Sequence, residues 1–368
     1  MIRLLLLALV GLCLAGHAWS NASTSLSERL VAPGGVSPLI PQERLEAMIA
    51  TLHSRSGHVV TAEGIPLFWR AIDPGDYHLR FGYRAPSSDH NADFSLDFIT
   101  PQAPAPTPRG TVILLHGWMM DGDSLLPWSL QLAQDGYRAI SIDLRNHGRS
   151  GGGPAGYGTR EADDVAAVIA SLREHGEVRG PLYLFGVSYG AATALFTAQK
   201  LGDAVTGVVA MESFANAGRG IRDMVPHMLY GRPQGWSAQM KTQLARLRYG
   251  GQDLDAVIAA ADKQLGLDLD AVDVAGAARE TKACLLLIHG ADDQHIPVTH
   301  GRALAAAAPR ARYLEIAGEN HISLPMRLDR LAPTVEGWLD AVQSSRHAEC
   351  PGQVTWAVKG APNNRAAG

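Results

Sequence analysis

The 368-residue chain has a net charge of −4, a pI near 6.4 and no basic block, a balance that argues against nucleic acid or an anionic membrane as partner. Its three cysteines are too few for a disulfide-built scaffold, and no cluster of His and Cys has the spacing of a structural zinc site. The length is ample for a large core and, in an α/β chain, is commonly accommodated in one domain.

The N-terminus reads as an export signal over residues 1–20. Arg3 supplies the positive start, Leu4 to Leu14 an apolar stretch, and Ala18 and Ser20 the small residues of a cleavage site. The mature protein is then expected in the periplasm or outside the cell, beginning near Asn21. The apolar stretch is short for a membrane span and polar residues follow it, so an uncleaved anchor is the second reading. The bulky Leu12 ahead of Cys13 fits poorly with a lipidated cysteine. No later stretch is apolar for long enough to cross a membrane. Residues 21–57 form a lead-in with one amphipathic segment, Gln42 to His53, whose Leu45, Met48, Ile49 and Leu52 recur at helical spacing.

Residues 58–345 form the main domain. Its first part alternates in short runs, Leu67 to Ala71, Tyr77 to Tyr83 and Phe94 to Phe98, which predict antiparallel edge strands. Four prolines between Pro101 and Pro108 mark an exposed connector. From Thr111 to about Arg346 strands and helices alternate, the signature of a mostly parallel sheet flanked by helices. The strands fall at Thr111–Leu115, Arg138–Ile142, Leu182–Phe185, Val205–Met211, Cys284–Ile288 and Arg312–Ile316, each nearly continuous in apolar residues. The clearest helix is Arg160 to Arg173, with Val165, Val168, Ile169 and Leu172 on one face. Cys284 reads as a small core residue, and whether it pairs with Cys350 is left open. Residues 346–368 have no period and read as a loosely ordered tail.

Ligands of such sheets bind at the carboxyl ends of the strands. The Leu182 strand ends in Gly186-Val187-Ser188-Tyr189-Gly190 and resumes as a small-residue helix. The strand-turn-helix setting makes this G-x-S-x-G a nucleophile elbow, with glycines where a Cβ would collide and a helix N-terminus facing the serine. The first strand ends in His116-Gly117-Trp118, whose turn aims the Trp118 N–H, with that of Tyr189, at a developing oxyanion. His116 itself reads as structural, and the polar groups of Asp143 to Ser150 as knitting their turn beside the elbow. Three acids compete to orient a histidine: Asp293, Asp292 and Glu212. His321 follows them in the order serine, acid, histidine. His295 is the rival base and is expected at the surface.

Jointly these motifs resemble the α/β-hydrolases, in the branch holding prolyl-oligopeptidase-like and serine-aminopeptidase-like members, esterases and monoacylglycerol-lipase-like enzymes. The resemblance covers about residues 58 to 345 and rests on His116-Gly117-Trp118, Asp143 to Ser150, Gly186 to Gly190, His289 to Pro297 and Gly318 to His321. It implies an α/β-hydrolase fold, Ser188 as nucleophile, Asp293 as acid, His321 as base, hydrolysis through an acyl-enzyme, and no cofactor. Asn146 departs from the pattern, which often has glycine there.

The resemblance also places a small helical lid between strands six and seven of the family's sheet, at about residues 214–280. It carries Met224, Met228, Leu229, Tyr230, Trp236 and Met240 among Arg219, Arg222, Arg232 and Lys241, and reads either as an apolar acyl pocket or as ordinary helical core. An exported serine hydrolase of small or medium acyl esters is the expectation. A serine aminopeptidase acting on short peptides is the alternative, with Glu212, Asp223 or Glu319 to hold the substrate amine. A non-catalytic binding protein on the same scaffold is the alternative of another class.

Overall fold

The computed structural model describes residues 25–34, 42–84, 93–231, 236–345 and 350–351. The expected export signal, Cys13 and the tail beyond residue 351 lie outside the described residues. Two lead-in helices, α1 (Leu26–Val31) and α2 (Gln42–Ala50), precede β1 (Ser54–Val60), β2 (Pro66–Ile72), β3 (Arg80–Arg84) and β4 (Asp93–Asp97). Then come β5 (Thr111–Leu115), α3 (Leu126–Gln134), β6 (Arg138–Ile142), α4 (Thr159–Glu174), β7 (Leu182–Val187), α5 (Tyr189–Leu201) and β8 (Gly207–Met211). Four helices follow, α6 (Ala217–Tyr230), α7 (Trp236–Tyr249), α8 (Leu254–Leu265) and α9 (Val274–Glu280). The chain closes with β9 (Cys284–Gly290), α10 (Thr299–Ala307), β10 (Arg312–Ile316) and α11 (Leu328–Ser344).

The main sheet runs β1-β2-β6-β5-β7-β8-β9-β10, antiparallel over its first three strands and parallel over the rest. Strands β5 to β8 are buried along their whole length, which is why their sequences are unbroken apolar runs. Side chains still alternate between faces. Along β7, Leu182 and Leu184 join the core under α4 and α5, whereas Tyr183, Phe185 and Val187 join the core under α3 and α11 with Trp128 and Trp338. At Gly207 a Cβ would lie 2.8 Å from the Trp338 ring, so glycine makes room for the indole.

Two edge elements differ from expectation. The run Tyr77 to Tyr83 becomes a strand only from Arg80, and β3 pairs with β4 in a separate two-stranded sheet. In addition, β1 pairs along all of β2, carrying the sheet back to Ser54 in the segment read as lead-in. Its sequence, Ser-Arg-Ser-Gly-His-Val-Val, alternates only between half-buried and exposed positions, so no apolar run announces it.

Helices α6 to α9 form a cap between β8 and β9. The cap's two ends are pinned together: Ala217 N–H donates to Val272 O at 3.2 Å and Ala275 N–H to Ala215 O at 3.0 Å. Helix α1 lies across the cap helix α8, and Tyr157 Oη donates to Leu30 O at 2.9 Å. Cys284, at the start of β9, is disulfide-bonded to Cys350. Among the described residues no helix is long and apolar enough to cross a membrane.

The turns leaving β5 and β6 are built on buried carboxylates. Asp143 accepts from the amides of Gly122 and Arg149, each at 2.8 Å, and from the Arg149 guanidinium at 3.0 Å. Gly148, at φ 54°, lies so close that a Cβ there would fall 2.2 Å from Asp143 Oδ2. Asn146 takes φ 69°, a left-handed conformation that asparagine tolerates nearly as glycine does, which accounts for the departure noted above. Asp121 caps the following turn, accepting from Ser124 N–H at 3.0 Å. Burial, and then the neighbouring Asp143 and Asp123, push its carboxyl up from 3.8 to about 6. The folded protein therefore holds a proton that the unfolded chain releases, and stability falls as pH rises between those values. Replacing the carboxyl by an amide, Asp121→Asn, keeps an acceptor and removes the titration. Denaturant midpoints should show the variant gaining about 1–3 kcal/mol at pH 7 and little near pH 4. A gain of equal size at both pH values would overturn the assignment.

Candidate active site

Strand β7 runs into Ser188, which takes φ 53° and ψ −113° before α5 begins at Tyr189. A serine in this region is strained by roughly 1–3 kcal/mol and persists only where its surroundings dictate it. Here they do. A Cβ on Gly186 would fall 2.3 Å from Gly190 O, and one on Gly190 would fall 2.1 Å from Leu115 O, so strand, turn and helix meet backbone to backbone. Ser188 N–H is fixed by Met211 O at 2.8 Å, and its hydroxyl is carried clear of β7 at the carboxyl edge of the sheet.

The loop after β10 brings His321 to that hydroxyl. Asn320 Oδ1 accepts from the amides of Ile322 and Ser323, each at 3.0 Å, while Asn320 N–H donates to Ser323 Oγ at 2.8 Å, a reciprocal turn that holds His321 between them. His321 Nε2 lies 3.0 Å from Ser188 Oγ, and Nδ1 lies 2.6 Å from Asp293 Oδ2. Asp293 Oδ1 accepts from the amides of His295 and Ile296, at 2.8 and 2.9 Å. Burial alone would raise the Asp293 carboxyl; hydrogen bonds from His289 and His321 outweigh it and hold the group well below the usual carboxylate range. An ionised Asp293 keeps the proton on Nδ1, which leaves Nε2 to accept from the serine hydroxyl.

The rival residues fall elsewhere. Asp292 is exposed, and its amide is held by Glu319 O at 3.0 Å. Glu212 is wholly buried, with Oε2 3.8 Å from His321 Nδ1. His116 is fully buried: its Nδ1–H donates to Gly117 O at 2.8 Å and its Nε2 accepts from Leu144 N–H at 3.0 Å. His295, expected at the surface, is instead half-buried, with its ring stacked 5.4 Å from that of His321 and meeting that of His227 on α6 edge to face at 4.3 Å. Burial, and then these two neighbours, push it down to about 4, so it is neutral at neutral pH. Its loop reads as polar, and nothing in the sequence tells that a cap helix covers it. His227 was missed for the same reason.

The turn after β5 closes the other side of Ser188. A Cβ on Gly117 would stand 3.6 Å from Ser188 Cβ, the measure of how closely the two turns approach. His147 reaches back from the β6 turn, its Nε2 accepting from Met119 N–H at 3.3 Å while Nδ1–H donates to Arg145 O at 2.8 Å. Burial first, then His116, holds His147 down at about 3, so it stays a neutral acceptor and pins the turn that carries Trp118. The Trp118 and Tyr189 rings meet edge to face at 5.5 Å, and Tyr189 Oη donates to the buried Glu161 at 2.8 Å.

Beside Ser188 is a cavity of about 20 Å³, walled by Trp118, Tyr157 and Tyr189 from the body and by Phe214, Ile221 and Met224 from the cap. Of the expected lid residues, Met224 and Leu229 face inward, Met228, Tyr230 and Met240 are exposed, and the Trp236 side chain lies outside the described residues. Among the described residues no carboxylate lines the cavity. Asp223 accepts from His300 Nε2–H at 2.9 Å, Glu319 pairs with Arg327 and with Arg330 at 2.8 Å, and Glu212 sits behind His321. Glu212, Asp293 and His321 each offer one donor atom within 4.8 Å of the others, a spacing that could suit a cation. The 2.6 Å contact between Nδ1 and Asp293 leaves no space for an ion between those two, whose donors around zinc would stand about 3 Å apart.

The chain matches the family model described as Alpha/beta hydrolase family over residues 112–334. The uncharacterized protein YqkD of Bacillus subtilis is 27% identical over 250 residues, covering 66% of this chain and 75% of that protein. The 2-(acetamidomethylene)succinate hydrolase of Mesorhizobium japonicum is 32% identical over 102 residues, which is 27% of this chain and 34% of that protein. In fold the chain is similar to the Pyrococcus furiosus esterase Pf2001, with a TM-score of 0.54 and 17% identity over 84% of this chain and 98% of that one. A matched span that begins within β5, takes in both turns, Ser188, the cap and His321, and ends in α11 makes this chain a member of the alpha/beta hydrolase family, and a hydrolase.

Proposed function

We propose that the protein is an exported serine hydrolase that cleaves small carboxylic esters through an acyl-enzyme on Ser188. The observation that carries this reading is the continuous hydrogen-bonded chain Ser188 Oγ to His321 to Asp293, at 3.0 and 2.6 Å, facing the turn that bears Trp118. His321 Nε2 takes the hydroxyl proton as Oγ attacks the ester carbonyl, and the ionised Asp293 stabilises the imidazolium that forms. The oxyanion is received by the N–H groups of Trp118 and Tyr189. Tyr189 opens α5, so its N–H has no acceptor within the helix, and the helix dipole adds to its pull. His321 then protonates the departing alcohol, and water, activated by the same ring, releases the acid. The apolar cavity beside Ser188 supports a short acyl group. Asp223 and Glu319 are engaged elsewhere and Glu212 is buried behind His321 outside the cavity, so these carboxylates give an aminopeptidase no anchor for its substrate amine.

Fluorophosphonate labelling, run with a panel of p-nitrophenyl esters and aminoacyl amides, tests the chemistry. Ser188→Ala should lose labelling and about 10⁴–10⁶-fold in ester kcat, with short esters turning over well ahead of amides. Amides turned over faster than esters would put the peptidase first, and a folded wild type that neither labels nor turns over would leave a binding protein.

The Cys284–Cys350 pair supports export, since such bonds persist in oxidising compartments. Cell fractionation followed by N-terminal sequencing should find a mature chain starting near Asn21 outside the cytoplasm, with both thiols blocked to maleimide. A full-length cytoplasmic chain with free thiols would refute this part.

A further inference from the structure

Glu212 combines three unfavourable features that the proposed reaction does not use. It is the first residue after β8 and is wholly buried, and neither carboxyl oxygen completes a hydrogen bond among the described residues, although the Gly290 N–H faces it. Its backbone holds φ 55°, a conformation that a long side chain rarely adopts. An apolar residue of similar volume would normally be the more stable occupant of such a place. The side chain is nevertheless directed at one group: Oε2 stands 3.8 Å from His321 Nδ1, the atom that Asp293 Oδ2 holds at 2.6 Å. On its other side Oε1 fits against Gly290, where a Cβ would come within 3.1 Å.

We propose that Glu212 is a positioning residue for His321, a second carboxyl able to take over the Nδ1–H hydrogen bond when Asp293 does not hold it. The role rests on the proposed function in that it concerns the same histidine. Two carboxylates cannot both be charged at this separation in a buried site, so while Asp293 is ionised Glu212 stays a neutral acid; burial, and then Asp293, raise its carboxyl well above the usual range. The other titratable groups around it are His289 and His321, together with Glu319, whose charge is matched by Arg327 and Arg330. Removing the Asp293 carboxyl removes the repulsion. Burial still favours the acid form, so Glu212 releases its proton to solvent only at raised pH, and a shift of about 1 Å then brings Oε2 within hydrogen-bond reach of Nδ1.

The test is a double-mutant cycle on a soluble ester with Asp293→Ala, Glu212→Gln and the two combined, each first verified as folded by thermal melting. The cost of Glu212→Gln in the Asp293→Ala background should exceed its cost in the wild-type background by at least about tenfold. Residual activity of Asp293→Ala should rise with pH along a limb displaced upward from that of the wild type, because Glu212 must ionise first. The Nδ1–H of His321 gives a second readout independent of turnover: its downfield proton resonance should persist in Asp293→Ala and vanish in the double variant. If Glu212→Gln does not fold, Glu212→Leu, which fills the same buried space without a polar group, replaces it. Equal costs in both backgrounds, or a downfield resonance already lost in Asp293→Ala, would overturn the assignment. A wild type without esterase activity whose resonance follows the predicted pattern would overturn the esterase reading and leave this one standing.

Discussion

Everything at the carboxyl edge of this sheet is referenced to one backbone crossing, where β7 turns into α5 against the end of β5. The crossing tolerates no Cβ at Gly186 or Gly190, with backbone oxygens 2.3 and 2.1 Å from where one would be. It holds Ser188 in a conformation that an isolated chain would leave at once. Because β7 lies in the interior of the sheet, with β5 on one side and β8 on the other, the same edge delivers the turn of Gly117 and Trp118, the carboxyl of Glu212, and, one and two strands further on, Asp293 and His321. Parallel strands bring these residues together for a simple reason: all their carboxyl ends point one way.

Charge is then distributed by which groups find donors. Asp143, Asp164 and Glu161 are all buried, and each is surrounded by N–H or O–H groups: Arg149 and two amides for the first, the bidentate Arg145 for the second, two amides and Tyr189 for the third. At Asp293 the hydrogen bonds from His289 and His321 outweigh burial, so it can remain ionised. His116 and His147 sit in the middle of this network but carry no charge, because burial disfavours the imidazolium and each ring already has a donor and an acceptor contact. Two neutral rings therefore tie the β5 and β6 turns together without disturbing the field at Ser188.

How much of this could be read from the sequence follows from the kind of force involved. Strands covered on both faces must be apolar throughout, so β5, β6 and β9 lie where the apolar runs place them, with β7 and β9 extended by their turn residues and β8 shortened at Thr206; the half-exposed edge strand β10 also lies where its run places it. β1 escaped because an edge strand needs apolar residues on one face only, and here even that face is half exposed. The motif residues were legible because turns demand particular residue types: Gly148 against Asp143, Asn146 at positive φ, glycines around Ser188. The choice between Asp293 and Glu212 was not legible in the residues themselves. The difference between them lies in two backbone amides, those of His295 and Ile296, which donate to Asp293 Oδ1, whereas among the described residues Glu212 faces the Gly290 N–H without completing a hydrogen bond. Likewise the edge-to-face contact of His227 with His295 joins residues of the cap and of the β9 loop, and the Cys284–Cys350 bond joins a strand to the segment after α11; neither relation leaves a local pattern.

The cap decides what can reach the proposed nucleophile, and its attachment limits how it can do so. Its stem is closed by backbone hydrogen bonds at Ala217 and Ala275 and by a bridge between Asn216 and Asp273. Near the start of α6, His300 locks it to the body: the buried ring accepts from Ala215 N–H at 3.0 Å and donates to Asp223 at 2.9 Å. Phe214, Ala217, Gly220 and Ile221, which wall the cavity, lie within this pinned part, and Gly220 packs so closely that a Cβ would fall 2.9 Å from that of Phe214. The exposed Met228 and Tyr230 lie beyond it, on the last turn of the helix. The cavity wall beside Ser188 is therefore set by the stiff stem, and the outer half of the cap stands away from it. That outer end is held by side chains, with Arg246 donating to Leu229 O at 2.6 Å and to Gly231 O at 3.1 Å, whereas the cavity wall is held by backbone, so the wall is the part of the cap that yields least.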